Sequence, residues 1–169
     1  LEPDEILAEI LEKLNPASKK KVLITSGGTR EPIDAVRYIT NMSGGRTGAT
    51  IADQFSAKNW EVYYLHGSRT RLPKIPCFLE NFETAVDLKN EMKKKLKKHK
   101  FSAIIHLAAV GDYFVVEING QPLDRKTKIK SSGKALDIKL KPTPKIAEKI
   151  RVWCQGQQIC FIPFKLTSS

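Results

Sequence analysis

The chain has 169 residues, 41% of them hydrophobic, which fits one compact domain with a sizeable core. Its 29 basic and 18 acidic residues leave a net charge of +11, which favours anionic partners such as phosphorylated metabolites, nucleic acid or an acidic surface. The odd number of cysteines, three, disfavours a disulfide framework. No apolar run approaches the roughly 18 residues of a membrane span, so we expect a cytoplasmic protein without a membrane partner.

The first twenty residues differ in character from the rest. Apolar residues at helical spacing predict an amphipathic helix over residues 3–14, and a polar stretch containing Pro16 follows it. We therefore expect an N-terminal helix and linker over residues 1–20 and a nucleotide-binding domain over residues 21–169.

Strand and helix patterns alternate through the domain. The apolar run Val22–Thr25 predicts a buried strand of a parallel sheet. A helix over Thr47–Asn59 and a strand over Trp60–Leu65 complete a βαβ unit. The next predicted elements are a short strand at Cys77–Leu79, a long basic helix marked by Ala85, Leu88, Met92 and Leu96, and a buried strand over Ala103–Ala109.

The pattern changes after Val110. Residues 111–134 carry glycines, a proline and basic residues with little apolar periodicity, which predicts a binding loop. A half-exposed strand is predicted over Ala135–Lys141, and another over Ile159–Phe164. Between them, Thr143 and Pro144 predict the N-cap and first turn of a helix. The alternation predicts an α/β fold, a three-layer Rossmann-like sandwich with a mostly parallel central sheet and right-handed crossovers.

Glycine-rich segments follow the first predicted strand. Gly27 and Gly28 allow close backbone approach, and the segment Ser43–Gly48 precedes a helix whose N-terminal amides attract phosphate. Such a turn is weak evidence for a nucleotide site when taken alone, since tight turns need glycine as well.

Four segments together carry a family resemblance, because their sequences and their order along the chain match. The first, Thr25–Asp34 with Val36–Asn41, closely resembles the opening of phosphopantothenate-cysteine ligases. The others are Ala108–Tyr113, which resembles a loop of this family, Lys128–Lys130, which resembles its lysine motif, and Pro142–Ile146, which resembles a helix start.

The resemblance implies an activity in coenzyme A biosynthesis. In this family 4'-phosphopantothenate is activated by a nucleoside triphosphate, CTP or ATP, with Mg²⁺, and the acyl-nucleotide intermediate is captured by cysteine. Family members usually pair as homodimers, and the opening residues resemble a linker to a flavin-dependent decarboxylase. The family normally continues with a lysine-rich flap, so we expect the C-terminal part of the domain to be missing after Ser169.

The resemblance also implies residue roles. Asn41 would bind the acyl intermediate, Lys128 would contact the triphosphate, and Asp112 would face the nucleotide or its metal ion. The remaining nucleotide-binding candidates are Gly27, Gly28, Ser43, Gly44, Gly45, His106, Leu107, Ala108, Pro144, Lys145, Ile146, Ala147 and Phe164. The candidates for the substrate phosphate are Arg30, Arg37 and Arg46. Simpler roles stay open: a turn for Asn41, strand and core packing for His106 and Phe164, and surface salt bridges for the arginines.

Two other function classes fit the same composition. Short-chain NAD(P)-dependent oxidoreductases share this layout, but the tyrosines of this chain are not followed by lysine at the fourth position, as their Tyr-x-x-x-Lys pair requires. A basic nucleic-acid-binding module would rest only on charge and on the lysine run of residues 93–100, without interleaved aromatic side chains. The ligase hypothesis requires that the loops carrying Asn41, Asp112 and Lys128 meet around one triphosphate.

Overall fold

The computed structural model describes residues 19–130, 133 and 135–164. The helix predicted over residues 3–14 lies outside these residues. In chain order the elements are β1 (Lys21–Ser26), β2 (Arg30–Pro32), β3 (Tyr38–Thr40), α1 (Arg46–Ala57), β4 (Glu61–Gly67), β5 (Phe78–Phe82), α2 (Ala85–Lys98), β6 (Ala103–His106), β7 (Tyr113–Ile118), β8 (Gln121–Pro122), β9 (Ile138–Pro142), α3 (Ile146–Trp153) and β10 (Cys160–Pro163). None of the helices in this part of the chain has the length and apolar character needed to cross a bilayer.

A five-stranded parallel sheet forms the centre of the domain, in the order β10-β6-β1-β4-β5. Alternate side chains of a strand point to opposite faces. The central strand β1 is buried on both faces, because helices cover each of them. Val22 and Ile24 pack towards α1, whereas Leu23 packs towards α2 and α3. The predicted three-layer α/β sandwich is therefore confirmed.

The strand order places a natural binding crevice beside β1. The chain leaves β1 through α1 to reach β4 on one side, and β6 pairs with the other side of β1. In open α/β sheets such a reversal of direction leaves a crevice at the carboxyl ends of the two diverging strands. The loops after Ser26 and His106 are the ones that border it.

The predicted loop over residues 111–134 is wrong in its first half, which forms strands β7 and β8 of an antiparallel sheet that β9 completes. Asn119 and Gly120 form the turn between β7 and β8, both with positive φ, of 50° and 75°. Asn-Gly between extended segments is the strongest short hairpin signal, and it was present in the sequence. The partner strand β9 is remote in the chain, which is why periodicity alone did not reveal the pairing.

The predicted N-cap at Thr143 is also wrong. Helix α3 begins at Ile146 with Lys145 as its N-cap. The backbone N–H of Thr143 instead donates to the Asp112 carbonyl at 2.8 Å, so Thr143 still belongs to the extended segment after β9. Its side chain is buried rather than capping a helix.

Candidate functional site

The loops after β1 and β6 run side by side at the carboxyl edge of the sheet. The N–H of Leu107 donates to the Thr25 carbonyl at 3.0 Å, and that of Ala109 donates to Gly27 at 2.8 Å. The N–H of Thr29 returns to the Ala109 carbonyl at 3.1 Å. The strand pairing therefore extends past the ends of both strands and holds the two motif-bearing loops in one register.

The glycines of the first loop have packing roles. Gly27 has φ +86°, and a Cβ there would lie 1.9 Å from the Thr70 hydroxyl oxygen. A Cβ on Gly28 would lie 2.7 Å from the Asn41 carbonyl oxygen. Both glycines let neighbouring backbone approach closely, and neither lines the depressions described next, so their predicted nucleotide contact stays a prediction.

The start of α1 borders an open depression of about 680 Å³, within the range of small-molecule sites. Gly45 is the N-cap in a left-handed conformation, φ 70°, and no side chain among the described residues caps the helix. The first amides of α1 are therefore available to an anion. The lining residues are Ser26, Met42, Ser43, Gly44, Gly45, Arg46, Thr47, Gly48, Leu107, Ala108, Ala109 and Phe164.

A second, smaller depression of about 130 Å³ adjoins the first, since Ala108 and Phe164 line both. It lies between the end of β6 and the start of α3, which also lacks a side-chain cap within the described part of the chain. Its other lining residues are His106, Val110, Gly111, Asp112, Thr143, Pro144, Lys145, Ile146 and Ala147. The predicted residues of β6, its loop and the α3 start thus lie together.

His106 is held in place by Thr25 on the neighbouring strand. Their Nδ1 and Oγ1 atoms are 2.7 Å apart, and the same hydroxyl oxygen accepts the N–H of Ala108 at 3.2 Å. Burial lowers the pKa of His106 to about 4, so its imidazole is neutral at physiological pH.

Asp112 and Lys145 join the two sides of the smaller depression by an exposed ion pair of 2.5 Å. The hydrogen bond from Lys145 to Asp112 raises the pKa of the lysine. Exposed pairs contribute little to stability, so a bound ligand can exchange this contact at low cost. No group of three potential metal ligands occurs among the described residues. A single carboxylate fits Mg²⁺ that is held mainly by nucleotide phosphates and water.

Asn41 reaches the loop after β6, where its Nδ2 donates to the Val110 carbonyl at 3.3 Å. Lys128 lines a third depression with Ile33 and Ile118. The structure brings Asn41 to the loop that carries Asp112, and the contact of Lys128 with a triphosphate stays a prediction.

A buried carboxylate anchors the segment next to Lys128. Asp34 accepts the N–H of Ile129 at 3.1 Å, as well as the N–H groups of Val36 and Arg37 and the Arg37 guanidinium. Burial by itself would raise the pKa of the Asp34 carboxyl, but these donors outweigh it and hold the pKa well below its usual range.

Two of the three candidate phosphate arginines already have protein partners. Arg37 forms a 2.7 Å ion pair with Asp34 and donates to the Ile129 carbonyl at 2.7 Å. Arg30 donates to the Ser68 carbonyl at 3.0 Å and forms a 3.5 Å ion pair with Glu83, which is the salt-bridge alternative anticipated for this type of residue. Arg46 is exposed at the start of α1, in the larger depression. It is the candidate best placed to meet a phosphate.

The sequence model of one protein family, the DNA/pantothenate metabolism flavoprotein C-terminal domain, matches residues 17–169. The chain belongs to this family. The resemblance inferred from the sequence motifs is thus confirmed, and the domain family covers nearly everything beyond the opening segment.

Two curated proteins are similar in sequence to this chain. The coenzyme A biosynthesis bifunctional protein CoaBC of Thermococcus kodakarensis is 37% identical over 153 residues, which are 88% of this chain and 35% of the relative. The human phosphopantothenate–cysteine ligase is 39% identical over 71 residues, 41% of this chain and 23% of the relative. The chain thus spans about a third or less of the length of these relatives.

A solved structure shares the fold. The DNA/pantothenate metabolism flavoprotein of Streptococcus pneumoniae aligns with a TM-score of 0.72 and 27% identity, over 84% of this chain and 67% of that one.

Some residues of this family member at the site were not predicted. Ser26 and Thr47 line the larger depression, and Thr143 lines the smaller one as a buried side chain. Ser26 and Thr47 immediately flank predicted residues, so proximity in sequence was the available signal. Thr143 had been assigned to a helix cap, which concealed its place in the depression.

Proposed function

We propose that this domain binds a nucleoside triphosphate across the carboxyl ends of β1 and β6 and uses it to join 4'-phosphopantothenate to cysteine. The observation that supports this proposal most directly is that the starts of two helices, α1 and α3, border adjoining depressions that share Ala108 and Phe164. Family membership and the names of the relatives support the substrate class.

The larger depression suits the phosphates. The uncapped amides at the start of α1 supply donors, the helix dipole adds partial positive charge, and Arg46 adds a full one. Charge-assisted hydrogen bonds of this kind are the strong ones for phosphate. Mg²⁺ would be held by Asp112 together with the phosphates and would neutralise part of their charge.

The chemistry proceeds in two displacements. The carboxylate of 4'-phosphopantothenate attacks the α-phosphorus, the bond to the β-phosphate oxygen breaks, and pyrophosphate leaves. The amino group of cysteine then attacks the acyl carbon, forms the amide bond, loses a proton and releases the nucleoside monophosphate. Donors aimed at the charge that develops in each step would lower its barrier.

Asn41 would act on the acyl intermediate. Its amide has two donor hydrogens and an accepting oxygen, and the contact with Val110 uses one donor. The remaining capacity would orient the acyl group for capture by cysteine. Lys128 stays a predicted triphosphate contact. A homodimer and a fused or paired flavin-dependent decarboxylase also remain predictions.

The test is pyrophosphate release by the full-length protein with 4'-phosphopantothenate and cysteine, comparing CTP with ATP. We expect Asn41→Asp to abolish product formation while nucleotide affinity changes little. Asn90→Asp, an exposed position on α2 with the same change of charge, is the matched control and should retain activity. Absence of pyrophosphate release with both nucleotides would contradict the proposal, and equal loss of binding and turnover would make Asn41 structural.

A further inference from the structure

Thr70 fills the space that three glycines leave free, although it lines neither of the two adjoining depressions. A Cβ on Gly45 would lie 2.1 Å from the methyl carbon of Thr70. Cβ atoms on Gly27 and Gly67 would lie 1.9 Å and 3.3 Å from its hydroxyl oxygen. One side chain thus contacts the loop after β1, the N-cap of α1 and the end of β4.

The turn that carries Thr70 has an unfavourable backbone conformation. The N–H of Thr70 donates to the Gly67 carbonyl at 3.2 Å, which closes a four-residue turn. Arg69, the third residue of this turn, has φ 60°. Glycine or asparagine usually occupies such a position, because most other side chains are strained there. Strain of this kind persists only where the surrounding contacts fix the backbone, and it is concentrated at functional sites.

Hydrogen bonds next to Thr70 tie this turn to the start of α1. The N–H of Arg71 donates to the Gly44 carbonyl at 3.0 Å. The Tyr64 hydroxyl on β4 donates to the Arg71 carbonyl, also at 3.0 Å. The turn is therefore fixed between β4 and α1, and the side chain of Thr70 fills the remaining gap between α1 and the loop after β1.

The shape of the Thr70 side chain is what fills this gap. The residue is 9% exposed, and its hydroxyl oxygen has no hydrogen-bond partner within the part of the chain that the structure describes. A valine would keep both branches of the side chain and would lose no hydrogen bond to the described residues. Alanine would lose both branches and would leave a void between the glycines, which the surrounding backbone could partly collapse to fill.

We propose that Thr70 is a positioning residue, which holds Gly27 and Gly45 at a fixed spacing and so presents the first amides of α1 to the nucleotide phosphates. This inference rests on the proposed nucleotide-dependent ligase function. A misplacement of about 1 Å can reduce the rate of a catalysed reaction about 100-fold. Because Thr70 contacts the walls of the phosphate site, changes in its shape should alter nucleotide affinity and leave the KM for cysteine unchanged.

Amide hydrogen exchange in the free full-length protein tests the spacing without a ligand. The N–H of Ala49 donates to the Gly45 carbonyl at 3.0 Å, and that of Ala109 donates to Gly27 at 2.8 Å, so these amides report on the two loops. Thr70→Ala should accelerate their exchange about 10-fold relative to the amides of α2, which a loss of global stability alone would accelerate equally. Thr70→Val should restore most of the protection. Unchanged relative exchange in Thr70→Ala would overturn the positioning role.

Calorimetric titration with CTP and steady-state kinetics, below the unfolding range of every variant, test the consequence for binding. We expect Thr70→Ala to weaken CTP affinity and raise the KM for CTP about 10-fold, with the KM for cysteine unchanged, and Thr70→Val to restore most of the loss. Thr50→Ala, at an exposed position on α1, is the matched control and should change neither value.

The remaining outcomes separate this inference from the ligase proposal. If Thr70→Val loses as much affinity as Thr70→Ala, the hydroxyl rather than the shape is required, and the positioning role is wrong. If the parent protein does not bind CTP, the ligase proposal fails, and the exchange experiment alone decides whether Thr70 holds the two loops. Thr70→Ser, which removes only the methyl group beside Gly45, replaces Thr70→Ala if that variant does not fold.

Discussion

The contact between α1 and β1 fixes where the start of α1, the proposed phosphate site, lies, and Gly48→Ala tests this contact. A Cβ at position 48 would lie 2.3 Å from the Ser26 hydroxyl oxygen and 2.6 Å from its Cβ. The Ser26 Cβ is fixed to the strand backbone, so the helix must move. Such overpacking costs about 1–3 kcal/mol, whereas alanine gains about 1 kcal/mol over glycine in a helix. The net destabilisation is about 1 kcal/mol, which corresponds to a Tm decrease of about 2–4 °C.

The assay is thermal unfolding together with titration of CTP, because displacement of the α1 start should weaken nucleotide binding as well. Gly111→Ala is the matched control for stability. A Cβ there meets nothing closer than 3.5 Å, and Gly111 does not have a positive φ. Its Tm should stay constant or rise slightly. If Gly48→Ala matches Gly111→Ala in Tm and binds CTP as tightly as the parent protein, the reasoning about this contact is refuted.

Hydrogen bonds that support the site give three further predictions. Thr84→Ala removes the capping box of α2 and should lower the free energy of unfolding by about 1 kcal/mol, seen as a lower urea midpoint at constant m-value. The buried N–H of Ala85 donates to the Glu31 carboxylate at 2.8 Å. Glu31→Ala leaves this N–H without its partner and should lower the free energy of unfolding by about 1–3 kcal/mol in the same assay. The low pKa of Asp34 contributes stability above the ordinary aspartate pKa, about 3.9, and this contribution is lost as pH falls through the folded-state pKa. Asp34→Asn should therefore flatten the acid side of the stability curve, and an unchanged slope would contradict the role given to that carboxylate.

The parallel core could be predicted because its signals are local. The run from Val22 to Thr25 is apolar throughout, as expected for a strand buried on both faces, and Leu88, Met92 and Leu96 repeat at helical spacing. The carboxyl-edge position of the two motif loops then followed from the topology of parallel sheets.

The rest of the site depends on contacts between remote residues. The pairing of His106 with Thr25 spans 81 positions, and nothing in the sequence near either residue encodes it. The contact of Arg37 with the Ile129 carbonyl spans 92 positions, and together with the local ion pair to Asp34 it occupies an apparently available cation. Gly27 has a packing role that the sequence did not reveal, since its missing side chain makes room for Thr70. Sequence motifs thus locate the edge of the sheet, and tertiary packing decides which of their side chains face the depression.

The most direct test of the central claim is an NMR titration of the isotopically labelled protein with CTP. We predict the largest amide shifts at residues 45–48 and 107–112 and at the start of α3, because these segments line the two adjoining depressions. Shifts confined to the amino ends of the strands, around Lys21 and Ser102, or spread over the lysine-rich face of α2, would contradict a nucleotide site at the carboxyl edge.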